Sequence, residues 1–193
     1  MTATASPPSG AVRRKRSRPT LIAAVVVGVV IALLVVLLAT RHTGERVTKS
    51  NLIGKAAPAL DGSVILGQPI DIGSSEGWTL VNFFATWCGP CIQEHPELKA
   101  FEKEHSEKGD ARVVSVVYDD KASAVKTFFQ ENGGDWTVLG SDDGRTPFYW
   151  GVAKVPESYL VSPTGIVVER FISGVSREQI NSVIDFYENQ AGG

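Results

Sequence analysis

Cysteine is nearly absent from this chain: there are two, Cys88 and Cys91, in 193 residues. A disulfide across so short a loop removes little unfolded-chain entropy, so a purely structural staple here would contribute almost nothing. No second C-x-x-C and no paired histidines are present, which leaves the four-ligand set of a zinc site incomplete. His95, four residues after Cys91, is what a three-ligand copper site with both cysteines would need. Surplus basic charge is also missing over most of the chain. Five of the 19 basic residues (Arg13, Arg14, Lys15, Arg16 and Arg18) form one cluster, leaving 14 against all 21 acids, a net of −7 for the remainder. That balance argues against nucleic acid as a partner. There is no internal repeat and no long low-complexity tract, and 43% of residues are hydrophobic, enough for one domain with a core.

The stretch that carries chemistry is Trp87-Cys88-Gly89-Pro90-Cys91, placed where the apolar run 79–85 (TLVNFFA) gives way to a helical pattern. A strand ending in C-x-x-C at a helix start is a redox context. Unpaired N–H groups and the positive end of the helix dipole favour a thiolate at Cys88, and the thiolate is the nucleophile of disulfide exchange. Cys91, one turn on, is within reach of Cys88 and can release a mixed disulfide. Cys88 is thus the candidate nucleophile and Cys91 the candidate resolving thiol.

Along the chain, residues 1–20 read as a small polar tail ending in the basic cluster, and 21–39 as nineteen residues without a charge, the length of a membrane-crossing helix. A cleaved signal peptide has a shorter apolar region and a small-x-small site; Leu38-Ala39-Thr40-Arg41 is a poor one, and no cysteine follows it for lipid attachment. The expectation is therefore an uncleaved signal-anchor, N-terminus cytoplasmic by the positive-inside rule. Ala24, Gly28 and Ala32 have small-x-x-x-small spacing, for which chance is explanation enough in a run with several small residues. A polar linker over 40–51 leads to a domain over 52–193. There the pattern predicts strands at 79–85 and 112–118, a helix at 89–108 kinked at Pro96, a helix at 122–131 and a short strand at 136–139. A brief helix at 147–152, a hairpin of 157–161 with 166–172, and a last helix at 177–189 behind a Ser176/Gln179 capping box complete it. The order β, α, β, α, then β, β, α predicts an α/β fold, a mixed central sheet flanked by helices.

WCGPC in this element order resembles the thioredoxin superfamily, in its membrane-anchored extracytoplasmic branch of TlpA, ResA and CcmG (DsbE) type, over about residues 50–190. The run NFFATWCGPC, the following E-x-P (Glu94, Pro96), VPESYL (155–160) and SPTG (162–165) are similar to that branch segment by segment. The resemblance implies a thioredoxin-like fold and a thiol-disulfide oxidoreductase without cofactor or metal. It implies that Pro156 is a cis-proline opposite the motif, with Val155 and Glu157 beside it in substrate binding, Glu157 being what cytochrome c maturation members tend to carry there. It also implies that Glu94 helps the cysteines exchange protons; at i+3 from Cys91, a partly desolvated carboxyl there would have a raised pKa. Trp87 is expected to cover the disulfide and offer a flat apolar docking surface. One departure matters: cytosolic thioredoxin carries a buried aspartate six residues before the first cysteine, and here that position is Asn82.

The expected function is reduction, outside the cytoplasmic membrane, of the C-x-x-C-H disulfide of apocytochrome c, with electrons from a transmembrane thiol donor of CcdA or DsbD type. A disulfide-forming oxidase for secreted proteins, a copper-delivery protein using Cys88, Cys91 and His95, and a pure assembly scaffold are the competing readings. A peroxidase is weaker, because the motif is a cysteine pair and not a single peroxidatic cysteine.

Overall fold

Strands too apolar to face water on either side organise this fold. The computed structural model describes residues 26–33, 51–73 and 77–191. The chain divides into two units, Met1–Val47 and Thr48–Gly193. Of the first, residues 26–33 form a helix (α1) with exposed side chains. The rest of the expected span over 21–39, the tail and almost all of the linker lie outside the described residues. Among the described residues, no helix is long and apolar enough to cross a membrane.

In the second unit, β1 (Val64–Leu66) precedes β2 (Trp78–Phe84), followed by α2 (Gly89–Ser106), β3 (Ala111–Val117), α3 (Ala122–Asn132), β4 (Thr137–Leu139) and α4 (Arg145–Trp150). The hairpin β5 (Glu157–Val161) and β6 (Val167–Ile172) and the helix α5 (Arg177–Ala191) close the chain. One six-stranded sheet results, in the order β1-β4-β3-β2-β5-β6. β2, β3 and β4 run parallel; β1, at one edge, and β5 are antiparallel to their neighbours, and β6 is antiparallel to β5. Every residue of β2 is buried, as a central strand covered on both faces requires.

Alternation along the strands sorts the core into two layers. Leu80, Phe84, Val113, Val117 and Leu160 pack with Leu98 and Phe101 of α2, Phe128 and Phe129 of α3, and Ile180 and Ile184 of α5. Val81, Phe83, Val116, Tyr159 and Val161 pack on the other face with Ile72, Trp150 and Val167. Each such aliphatic or aromatic side chain stabilises the fold by about 1.5–3 kcal/mol when fully buried.

The expected elements are present with ends moved by a few residues. The helix expected at 147–152 begins two residues earlier, with Gly144 as its N-cap; the Asp142 carboxylate, two residues before that, accepts the Thr146 amide at 3.0 Å and hydroxyl at 2.8 Å. α2 continues through Pro96, which faces outward. The capping box of α5 is reciprocal: the Ser176 amide donates to Gln179 Oε1 at 2.9 Å, and the Gln179 amide to Ser176 Oγ at 3.3 Å. Because α2 follows β2 directly and β3 runs parallel to β2, the N-terminus of α2 lies at the carboxyl ends of both strands.

Candidate active site

Cys88 is the N-cap of α2, in extended backbone, and its sulfur accepts the Cys91 amide at 3.2 Å. Pro90 in the first turn has no N–H to leave unsatisfied and a φ already suited to the helix. Cys88 and Cys91 are joined as a disulfide, both nearly buried. A sulfur at this cap faces the unpaired N–H groups of the first turn, which favour negative charge there.

The approach to the motif is held by the turn after β3, which the sequence reading missed. Asp120 Oδ2 accepts the Thr86 amide at 2.7 Å and the Thr86 hydroxyl at 2.6 Å. The next carbonyl back, that of Asp119, accepts the Trp87 indole N–H at 3.0 Å. Asp119 has a φ of 45°, a left-handed conformation that aspartate tolerates better than most residues. Trp87 is thereby tethered by its nitrogen while 60% exposed, an apolar ring presented outward beside the disulfide. A groove of about 650 Å³ lined by Tyr118, Asp119, Ser141, Asp143, Pro147 and Phe148 adjoins that tether. An opening of similar volume around Glu102 and Arg112 lies at the opposite strand ends, away from the cysteines.

Glu94, one turn beyond Cys91, is buried, and its carboxyl is pushed up to about 7, chiefly by burial. Two hydrogen bonds work against that rise. Asn82 Nδ2 donates to Oε1 at 2.8 Å, and the Val175 amide donates to Oε2 at 3.1 Å. The chain reaches Glu94 from the β6–α5 turn through Gly174, whose φ of 108° suits only glycine. Asn82, at the position where cytosolic thioredoxin has its aspartate, is thus a partner of Glu94.

The Val155–Pro156 bond is cis, as expected. β5 begins at Glu157, opposite Phe83 of β2, so Pro156 sits at the strand end nearest the motif. Val155 is half-buried and packs against both core layers. The Glu157 side chain points away from the cysteines, which leaves its backbone as the part that lies beside Pro156. It shares a strand face with Tyr159 and Val161, the layer opposite the cysteines, and is buried there in an ion pair with Arg170. Tyr159 Oη lies 2.9 Å from the same carboxylate and 2.7 Å from the Trp150 carbonyl, two acceptors that share its one proton. An unpaired buried carboxylate is costly, so the strand period and the Arg170 cation turn Glu157 inward.

His95 is likewise not a metal ligand beside the cysteines. Its ring sits among Phe128, Phe129 and Trp136, with Nε2 2.8 Å from the Gly133 carbonyl. Burial lowers its pKa, keeping it neutral. Among the described residues, no group of three or more His, Cys, Asp or Glu is placed to hold a metal ion. A copper site of Cys88, Cys91 and His95 is the rarer reading of this residue in the sequence, and these ring contacts favour the commoner one, a histidine of the core.

The site thus combines a reversible dithiol/disulfide pair at a helix N-terminus with a buried carboxyl that titrates near neutrality on the same helix. Residues 53–184 match a protein-family model described as Redoxin. The chain is 34% identical over 131 residues to the thiol:disulfide interchange protein CycY of Rhizobium leguminosarum bv. viciae, covering 67% of this chain and 63% of that protein. It is 30% identical over 133 residues to the thiol:disulfide interchange protein DsbE homolog of Paracoccus denitrificans, covering 67% and 71%. The chain therefore spans slightly under two thirds of CycY. In fold it is similar to a thioredoxin family thiol:disulfide interchange protein from Chlorobium tepidum, with a TM-score of 0.60 and 23% identity over 68% of this chain and 94% of that one.

Proposed function

The chain belongs to the Redoxin family, and from that premise we propose that it is a membrane-anchored, extracytoplasmic thiol-disulfide oxidoreductase working as a reductant. The observation that carries this reading is the pairing of Cys88 at the N-cap of α2 with buried Glu94 on the same helix.

In the forward direction the Cys88 thiolate attacks one sulfur of a substrate disulfide; a mixed disulfide forms and the other substrate sulfur leaves as a thiolate. Glu94, whose carboxyl is pushed up to about 7 by burial, takes the proton of the Cys91 thiol when ionised. The Cys91 thiolate then attacks Cys88 Sγ, and the substrate departs as a dithiol. Two electrons pass from the Cys88–Cys91 pair to the substrate, leaving the disulfide seen here. Trp87 offers the substrate chain an exposed apolar ring one residue before Cys88, and the groove at Asp119 adjoins the tether of that ring.

The substrate in this reading is the C-x-x-C-H disulfide of apocytochrome c. The similarity to CycY and the DsbE homolog, both named thiol:disulfide interchange proteins, supports the exchange chemistry, and the VPESYL likeness supports the cytochrome branch. The uncharged run 21–39 behind a basic cluster supports the anchor and an exported domain. Outside the cytoplasm thiols drift to disulfides, so a reductant there requires re-reduction across the membrane, by a thiol donor of CcdA or DsbD type.

The test is the reduction potential of the full-length chain, equilibrated in thiol buffers and followed by Trp87 fluorescence. A value near or below about −270 mV, that of thioredoxin, is expected; a value near about −120 mV, that of DsbA, would overturn the reductant reading in favour of a disulfide-forming oxidase.

A further inference from the structure

Asn82, Ser115 and Ser158 are buried polar residues within three neighbouring strands, and the register sets them side by side. Asn82 of β2 pairs with Ser115 of β3 on one side and with Ser158 of β5 on the other. All three share the sheet face of Leu80, Val113 and Leu160, the face covered by α2.

Their hydrogen bonds form one connected chain. The Trp136 indole donates to Ser115 Oγ at 2.9 Å; Ser115 Oγ donates to Asn82 Oδ1 at 3.4 Å. Asn82 Nδ2 donates to Glu94 Oε1 at 2.8 Å and to Ser158 Oγ at 3.0 Å. An amide can sit in either of two orientations that exchange its oxygen and nitrogen, and the neighbours decide which is held. Here the indole N–H can only donate, so it occupies Ser115 Oγ as an acceptor. The single hydroxyl proton of Ser115 is then available for the amide oxygen. Turned over, Asn82 would set its oxygen against a Glu94 oxygen and leave that hydroxyl proton without its acceptor.

We propose that Ser115 and Trp136 act as a latch that fixes the Asn82 amide with its NH₂ toward Glu94, making them positioning residues for the proton-exchanging carboxyl. The inference rests on the reading of Glu94 given above and extends it to two residues that touch neither sulfur nor substrate. A locked donor favours the ionised carboxylate. An amide free to turn offers a donor to the ionised form and an acceptor to the protonated form, so it holds the proton more tightly. The other groups that face Glu94 cannot supply this bias. Its titratable neighbours along α2 are the cysteine pair, which does not titrate while oxidised, and His95, whose ring is taken up by Gly133. From β5 there is the Ser158 hydroxyl, and from the turn before α5 the Val175 amide, neither of them charged. Glu97, further along α2, accepts the Arg177 amide.

The experiment is a carboxyl ¹³C NMR titration of Glu94 in the oxidised full-length chain in detergent, with the resonance identified by its loss in Glu94→Gln. Ser115→Ala is expected to move the midpoint upward from the wild-type value by about one pH unit, the worth of one biased hydrogen bond to a charged group. Ser115→Thr keeps the hydroxyl and is expected to restore the wild-type midpoint. A Ser115→Ala midpoint equal to that of wild type overturns the latch. Should Ser115→Ala not fold, Trp136→Phe decides: it keeps a ring beside His95 but removes the indole donor, and an upward shift supports the proposal while an unmoved midpoint overturns it. The functional reading of Glu94 is judged separately by the pH profile of disulfide exchange in Glu94→Gln. If that profile matches wild type, Glu94 is not the proton exchanger, whatever the carboxyl titration shows about the latch.

Discussion

Stability as a function of pH offers a direct measure of what it means to bury Glu94. Its carboxyl titrates near 4.5 in an unfolded chain and at about 7 in the folded one. Between those values the folded state holds a proton that the unfolded state has released, so stability falls as pH rises from 4.5 to 7 and is flat on either side. At 1.36 kcal/mol per unit, the loss amounts to about 3 kcal/mol. Other groups titrate in the same range. His95, with its folded pKa lowered, contributes the opposite slope, losing stability as pH falls through the usual histidine range. Comparing wild type with Glu94→Gln cancels these shared terms. Both Glu94 oxygens accept N–H donors, from Asn82 and Val175, whereas a glutamine can offer an oxygen to only one of them. The variant is therefore expected to be less stable than wild type at pH 5 by about 1–3 kcal/mol. That deficit shrinks through zero and reverses as pH rises to 8, because wild type alone must bury a charge. The assay is urea unfolding of both oxidised chains between pH 4.5 and 8.5, with the disulfide intact so that no thiol titrates. Stability curves that stay parallel across that range would refute a buried carboxyl titrating near 7.

The two cysteines are expected to be unequal: Cys91→Ala should trap substrate as a stable mixed disulfide on Cys88, visible by mass spectrometry, while Cys88→Ala should trap none. The reverse outcome would mean that the nucleophile has been misassigned. Arg170→Ala should lower unfolding stability by about 3–5 kcal/mol by leaving the Glu157 carboxylate buried and unpaired. A loss below about 1 kcal/mol in urea unfolding would show that Glu157 reaches water without it.

Much of the fold could be read residue by residue because the relevant signals are local. The near-continuous apolar runs at 79–85 and 112–118 correspond to β2 and β3, strands with both faces covered. SPTG fixed the β5–β6 turn, and Ser176 with Gln179 the start of α5. The short distance between Cys88 and Cys91 marked the reactive pair. The side-chain surroundings of Glu157 and His95 were not legible for a common reason: each has a chemically suggestive neighbour in sequence, but its side chain is claimed by a residue distant in sequence. Arg170 holds the one, and Gly133 with the ring cluster of α3 holds the other. Asp119 and Asp120 went unnoticed as supports of the motif, since only the parallel pairing of β2 and β3 brings that turn against Thr86 and Trp87.

The sequence by itself determined the reactive pair, the helix start that favours a thiolate at Cys88, and the strand and helix order that makes the sheet mixed. These follow from spacing, period and capping, which act over a few residues. Tertiary structure alone decided what surrounds Glu94. Asn82, Ser115 and Ser158 are polar residues in mostly apolar strands, and nothing within any one strand says what each meets. Strand register aligned them into one row, and the packing of α2 over that row removed water from the carboxyl and replaced it with two directed N–H groups. A proton affinity is set by desolvation and by the donors that remain, and both are properties of the assembled sheet and helix rather than of any local stretch of chain.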